Sequence, residues 1–221
     1  MPKRVSGDIL KMPIERNPEN MDVIDSELLM NFFKKRNIEY LYHFTPVANL
    51  YSIIKNGLLP VYELKKRNLE FINPDQNRLD FRTRGISLSI SHTNNRLLYK
   101  NICNLKIPFV VIEIESRVLW EQSVVKEFFY TNAASNCFSP FFYYTEPSDL
   151  YKMFVAGSGI YPYDEQAEII FYGSIPFKYM STLLFKQESD IPADLRNMKE
   201  FCLINPHKFH CRESTNYIEL R

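Results

Sequence analysis

Aromatic side chains occupy alternate positions in Tyr40-Leu41-Tyr42-His43-Phe44, which predicts a short strand. The pattern then changes period. Val47, Leu50, Tyr51 and Ile54 recur at i, i+3, i+4 and i+7, the spacing of one apolar helical face. Thr45-Pro46 reads as the start of that helix, a hydroxyl N-cap followed by a proline whose missing N–H costs nothing there. Gly57 supplies a left-handed stop. This reading sets His43 at the strand's end, beside helix N–H groups that favour an anion such as a diphosphate. A histidine hydrogen-bonded at a core edge is the plainer alternative.

Periodicity predicts further elements in both directions. Asp25-Ser26 caps a helix that turns Leu28, Leu29, Phe32 and Phe33 inward. Residues 61–84 show no clean period and predict a short helix followed by a loop. Ile86-Ser87-Leu88-Ser89-Ile90-Ser91 alternates strictly, placing three serines on one face of a half-buried strand, in a ligand cleft or on an ordinary solvent face. Pro108–Ile114 is continuously apolar, hence a central strand. A helical turn at 117–120, a strand at 124–130, a small-residue connection at 131–136 and a short helix at 148–155 follow. Residues 166–172 predict a strand with Gln166 and Glu168 on one face. Another strand near 179–185 and a final helix at 190–203 complete the chain. Strands interspersed with short helices, without a βαβ rhythm, predict an α+β fold. Pro2, Pro13 and Pro18 break up a polar stretch, so residues 1–24 are expected as a loosely held arm before one domain over 25–221.

Composition narrows the function classes. Hydrophobic residues make up 45% of the 221 residues and aromatics 14%, enough for a sizeable core. The net charge of +1 carries no global nucleic-acid signature. Residues 61–100 nevertheless hold eight Lys/Arg against four Asp/Glu, a local balance of +4 suited to phosphate or to a solvated face. No secretory h-region and no membrane-length apolar run is visible, and the four cysteines show no CxxC spacing, so reduced thiols in the cytoplasm are expected.

Six glycines leave no room for a GxGxxG or P-loop fingerprint. Cys202, His207, His210 and Cys211 cluster in the sequence but match no zinc spacing, and no metal is expected. Four segments carry more information. They are Tyr42-His43-Phe44-Thr45 with Asn49-Leu50 and Gly57-Leu58-Leu59; Asp75-Gln76-Asn77-Arg78-Leu79-Asp80 leading into Ile86–Ser91; Leu119-Trp120-Glu121 with Thr131–Asn136; and Gln166-Ala167-Glu168-Ile169-Ile170 with Ile175-Pro176. In that order, over about residues 38–185, they resemble the DarT family, toxins that transfer ADP-ribose from NAD onto bases of single-stranded DNA.

The resemblance implies a compact ADP-ribosyltransferase fold with a split mixed sheet, NAD as co-substrate and a macrodomain antitoxin as partner to a chain expected to be monomeric. It implies that Glu168 is the catalytic carboxylate and that Arg78 meets the diphosphate or the developing charge. His43 and Thr45 would hold the nicotinamide-ribose side, with Asn49, Ser87 and Ser89 as further NAD contacts. For single-stranded DNA the expected contacts are Lys65, Lys66, Arg67, Tyr99 and Gln166. The chain departs from the family pattern at Phe81, where a glycine is usual, and at His92-Thr93-Asn94-Asn95, where an aromatic-rich run is usual. Those positions lie by the acceptor side, so base preference stays open. A same-fold transferase acting on RNA or protein, or a non-catalytic binding module, are the alternative functions.

Overall fold

The computed structural model describes residues 17–74, 82–135, 137, 138, 142–154, 159–198 and 200–209. Its frame is a mixed seven-stranded sheet in the order β4-β5-β2-β1-β3-β6-β7. The strands are β1 Tyr40–Pro46, β2 Ile86–Ile90, β3 Phe109–Glu115, β4 Lys126–Phe129, β5 Glu168–Phe171, β6 Met180–Phe185 and β7 Cys202–Ile204. Neighbours are antiparallel except β6 and β7. The helices are α1 Ser26–Lys35, α2 Leu50–Asn56, α3 Val61–Lys66, α4 Asn95–Leu105, α5 Val118–Glu121 and α6 Pro147–Lys152. None is long and apolar enough to cross a membrane.

The central strands form where the sequence is most apolar. Val110, Val111, Ile112 and Ile114 of β3 are fully buried, as are Leu41 of β1 and Leu88 and Ile90 of β2. The main core joins one face of this sheet to α1, whose Leu29, Phe32 and Phe33 point inward as expected. Asp25 caps α1 by accepting a hydrogen bond from the Leu28 amide at 2.8 Å. Met21 and Ile24, at the end of the expected arm, are buried too. Burying a side chain of this size stabilises by roughly 1.5–3 kcal/mol, so this end of the arm is packed against the domain.

Three expected elements are corrected. The strand at 40–44 does not stop at Thr45: β1 pairs with β3 as far as Pro46↔Phe109. A 3-10 turn at Val47–Asn49 intervenes, and α2 begins only at Leu50. Tertiary pairing thus overrides the capping signal, and His43 sits in mid-strand instead of at the strand's end. Leu50 and Ile53 form the buried face of α2, whereas Tyr51 is 73% exposed. Gly57 does end the helix, with φ of 79°; a Cβ there would lie 2.7 Å from the Ile175 carbonyl oxygen.

The final helix expected over 190–203 is absent. Short 3-10 turns at Glu188–Asp190 and Ala193–Leu195 flank Pro192, and the chain then extends as β7. Its main-chain groups are taken by β6, the Leu183 amide donating to Phe201 O at 2.8 Å and the Asn205 amide to Phe185 O at 2.8 Å. Conversely, α4 was not anticipated. Asn94 caps it by accepting from the Leu97 amide at 3.1 Å, within the very run that departs from the family pattern.

Candidate active site

The site follows from how β1 and β2 meet. They pair only at Leu41↔Ile90 and Tyr42↔Ser89, and beyond Tyr42 they part. The sheet is split at that point although it stays continuous on either side. A cleft of about 1330 Å³, its open mouth included, begins there. His43, Phe44 and Thr45 line it from β1, and Gly85, Ile86, Ser87 and Ser89 from the β2 side. Gly85 is required: a Cβ on it would fall 2.2 Å from Ile170 Cγ2.

Glu168 stands at the start of β5, opposite Ser89 on one side and Phe129 on the other. Both of its oxygens are held. The Ser87 hydroxyl donates to Oε2, and the Ala133 amide donates to Oε1 at 2.6 Å. The carboxylate is therefore oriented from two sides while the residue lines the cleft with Asn132 and Ala134. Two of the three expected serines reach this cleft. Ser91 leaves the strand at φ of 61° and donates to Ile160 O at 2.6 Å.

His43 Nδ1 lies 3.0 Å from Ser87 O. A carbonyl only accepts, so Nδ1 carries the proton and the neutral ring has its acceptor at Nε2. Thr45 Oγ1 accepts from Asn49 Nδ2 at 2.9 Å. Asn49 also binds Ile72 twice, donating to its carbonyl at 2.9 Å and accepting from its amide at 2.8 Å. The Ser89 hydroxyl accepts from the Asn94 amide at 3.3 Å.

The structure thus brings His43, Thr45, Asn49, Ser87, Ser89 and Glu168 around one cleft. Arg78, expected beside them, lies outside the described residues, as do Phe81, His210 and Cys211. The DNA-contact expectations divide. Val61 and Leu64 of α3 line the cleft; Lys65, Lys66 and Arg67 after them are exposed and do not line it, the last two lying beside Glu63. Tyr99 is not at the cleft: Leu97 and Asn101 of α4 line it, and two residues along a helix is roughly a 200° turn from either. Gln166 is not on β5 and does not share the Glu168 face as a strand neighbour. The Asp164 side chain takes the Gln166 amide at 2.8 Å in a turn, and the strand starts two residues later. Among the described residues no cluster with metal-ligand composition is found, and burial pushes the Cys202 thiol up.

Sequence reasoning passed over two groups. His92 Nε2 donates to Glu165 O at 3.1 Å, steadying the turn that precedes Glu168, and burial pushes its imidazole down to about 4. Behind the cleft, Arg82 Nε lies 2.8 Å from Glu127 Oε2, with both side chains fully enclosed. The Tyr172 hydroxyl donates to the same oxygen at 2.6 Å, and the Arg82 guanidinium covers the Phe129 ring at 4.6 Å. Arginine, glutamate and tyrosine this far apart in sequence carry no local signal.

A family model described as ssDNA thymidine ADP-ribosyltransferase, DarT, matches residues 42–199. Three solved structures share the fold. Thermosipho africanus DarTG in complex with ADP-ribose is 16% identical, with a TM-score of 0.54 over 77% of this chain and 51% of that one. The chain therefore spans about half the length of that protein. Thermus sp. 2.9 DarT in complex with NAD+ is 12% identical, with a TM-score of 0.53 over 78% of this chain and 98% of that one. The same Thermus protein in complex with ADP-ribosylated ssDNA gives 13% identity and 0.52 over 79% and 97%. No curated protein sequence matches. With a family match covering more than two thirds of its residues, the chain belongs to the DarT family of single-stranded-DNA thymidine ADP-ribosyltransferases.

Proposed function

We propose that this chain transfers ADP-ribose from NAD to a thymidine base of single-stranded DNA, with Glu168 as its catalytic residue. The observation that carries the reading is the two-sided fixation of the Glu168 carboxylate by Ser87 and Ala133 at the edge of an open cleft. Breaking the bond between ribose C1′ and nicotinamide builds positive charge on the sugar. A carboxylate already oriented toward that charge stabilises the transition state without reorganising. The thymine N3 lone pair then bonds to C1′, and its proton passes to the carboxylate and on to water. Nicotinamide leaves with the electron pair of the broken bond.

His43 and Thr45 line the part of the cleft assigned to the nicotinamide ribose, and Arg78 is assigned to the diphosphate. A base must leave the stack before its Watson–Crick edge can react, which favours a single-stranded acceptor. The exposed Lys65, Lys66 and Arg67 supply phosphate contacts on that path. In this reading the chain is a cytoplasmic toxin restrained by a macrodomain antitoxin.

The test is incubation with adenine-labelled NAD and matched single-stranded DNA, duplex DNA, RNA and protein pools. Label should enter single-stranded DNA at thymidine with equimolar nicotinamide release. Transfer to RNA or protein alone would replace the acceptor assignment. Absence of transfer to every pool would overturn the enzyme reading.

A further inference from the structure

The structure assigns to Asn49 a positioning role: its side-chain amide clamps the cleft wall at residues 71–74 onto the root of α2, and this sets the width of the dinucleotide site. The inference rests on the NAD reading above but stands on separate geometry. The resemblance makes Asn49 a ligand contact, yet both of its polar atoms are occupied within the protein. Oδ1 accepts from the Ile72 amide at 2.8 Å, and Nδ2 donates to the Ile72 carbonyl at 2.9 Å and to Thr45 Oγ1 at 2.9 Å. One side chain thereby imitates a β-bridge to a single residue.

That residue needs it. Phe71–Pro74 belongs to no helix or strand, and Phe71, Ile72, Asn73 and Pro74 all line the cleft. A main-chain N–H and C=O on an irregular segment must be satisfied somewhere, and Asn49 satisfies both for Ile72. The anchor is itself tied down. Asn49 ends the 3-10 turn after β1, and through Thr45 the clamp reaches a strand paired along its length with β3. The wall is thus referenced to the rigid centre of the sheet, as a site-lining segment must be if it is to hold a ligand at fixed distance.

The experiment pairs hydrogen exchange with calorimetry on the whole chain. In Asn49→Ala the Ile72 amide in NAD-free protein should exchange at least roughly tenfold faster, since its acceptor is gone. Asn49→Asp retains that acceptor but loses both donors, so it should keep most of the amide's protection. Both variants should bind NAD about tenfold more weakly. Turnover at saturating NAD should stay within about twofold, because the clamp acts on binding and not on the broken bond. Weaker NAD binding with an unaltered Ile72 amide would mean direct contact and overturn the clamp. A faster amide with unchanged NAD affinity would sever the clamp from the site. Should the wild type bind no NAD, the functional reading fails, while the exchange rates still decide whether the clamp exists.

Discussion

Glu127 and Glu168 stand on adjacent strands, two register positions apart and on the same face of the sheet, and they are used in opposite ways. Glu127 is fully enclosed and takes hydrogen bonds from Arg82, Tyr172 and the Tyr144 amide. Glu168 takes hydrogen bonds from the Ser87 hydroxyl and the Ala133 amide and lines an open cleft. An arginine beside a buried carboxylate neutralises it and fills its coordination with protein. A serine and an amide orient a carboxylate without bringing a charge of their own. The two glutamates share a face of the sheet and differ in enclosure: one is sealed in an ion pair, the other opens onto the cleft.

The largest effect should come from Glu127→Gln. Removing that charge takes the carboxylate partner from a buried arginine, which typically costs about 3–5 kcal/mol. A fall of that size in denaturant unfolding is expected, with the midpoint moving and the slope constant. A shift under about 1 kcal/mol would show that Arg82 finds water or another partner.

Glu168→Gln should do the reverse. It preserves shape and hydrogen bonding, so thermal stability should barely move. Turnover should drop on the order of a hundredfold or more, with NAD affinity nearly constant. Nicotinamide release and oligonucleotide modification, measured together, check this. Full turnover in a folded variant would place the chemistry on another group.

Lys126 extends the contrast to a cation. Its ammonium is buried on β4 and donates to Gln122 O at 2.7 Å instead of to a carboxylate, and burial pushes it down to about 8. The folded pKa lies below the unfolded one, so the unfolded state binds more protons between about pH 8 and 10.5 and stability rises with pH there. Lys126→Met should stabilise by about 1–3 kcal/mol below pH 8, a gain that fades toward pH 10.5. Urea unfolding at pH 7 and pH 10.5 should show it. An equal gain at both values would point to packing alone.

The smallest effect belongs to Ser87→Ala. It removes one of the two donors that orient Glu168, and turnover should fall roughly tenfold with stability unchanged. A loss equal to that of Glu168→Gln would mean that the hydroxyl also touches NAD.

The same contrast explains what could be read from the sequence. Ser87 and Ser89 were legible because strand alternation is local, Gly57 because a left-handed helix stop is local, and Glu168 only through the family resemblance. Arg82, Glu127 and Tyr172 were not, because their meeting depends on β4, β5 and the β2 approach closing together. Thr45-Pro46 offered a sound capping signal that lost to long-range pairing with β3. Residues 202–204 owe their extended form to β6, a partner that no window around them contains. α4 was missed although its signal is local: Asn94 followed by Leu98, Asn101, Ile102 and Leu105 has the cap and the period of a helix. Gln166 shows the limit of alternation, since a turn set by Asp164 delays the strand's start.

The early parting of β1 and β2 reaches beyond the site itself. Two strands that separate in the middle of a sheet create an interior edge, a run of main chain facing a gap instead of a neighbour. Being walled in by the cleft, this edge cannot recruit another chain as an outer edge can. Part of it is closed by a side chain, His43 Nδ1 donating to Ser87 O across the gap at 3.0 Å. A tear in a sheet is thus bridged by a ring instead of a ladder, and the bridge leaves the ring's other nitrogen as an acceptor. Proteins only 12–16% identical to this one share the fold in which that tear is set.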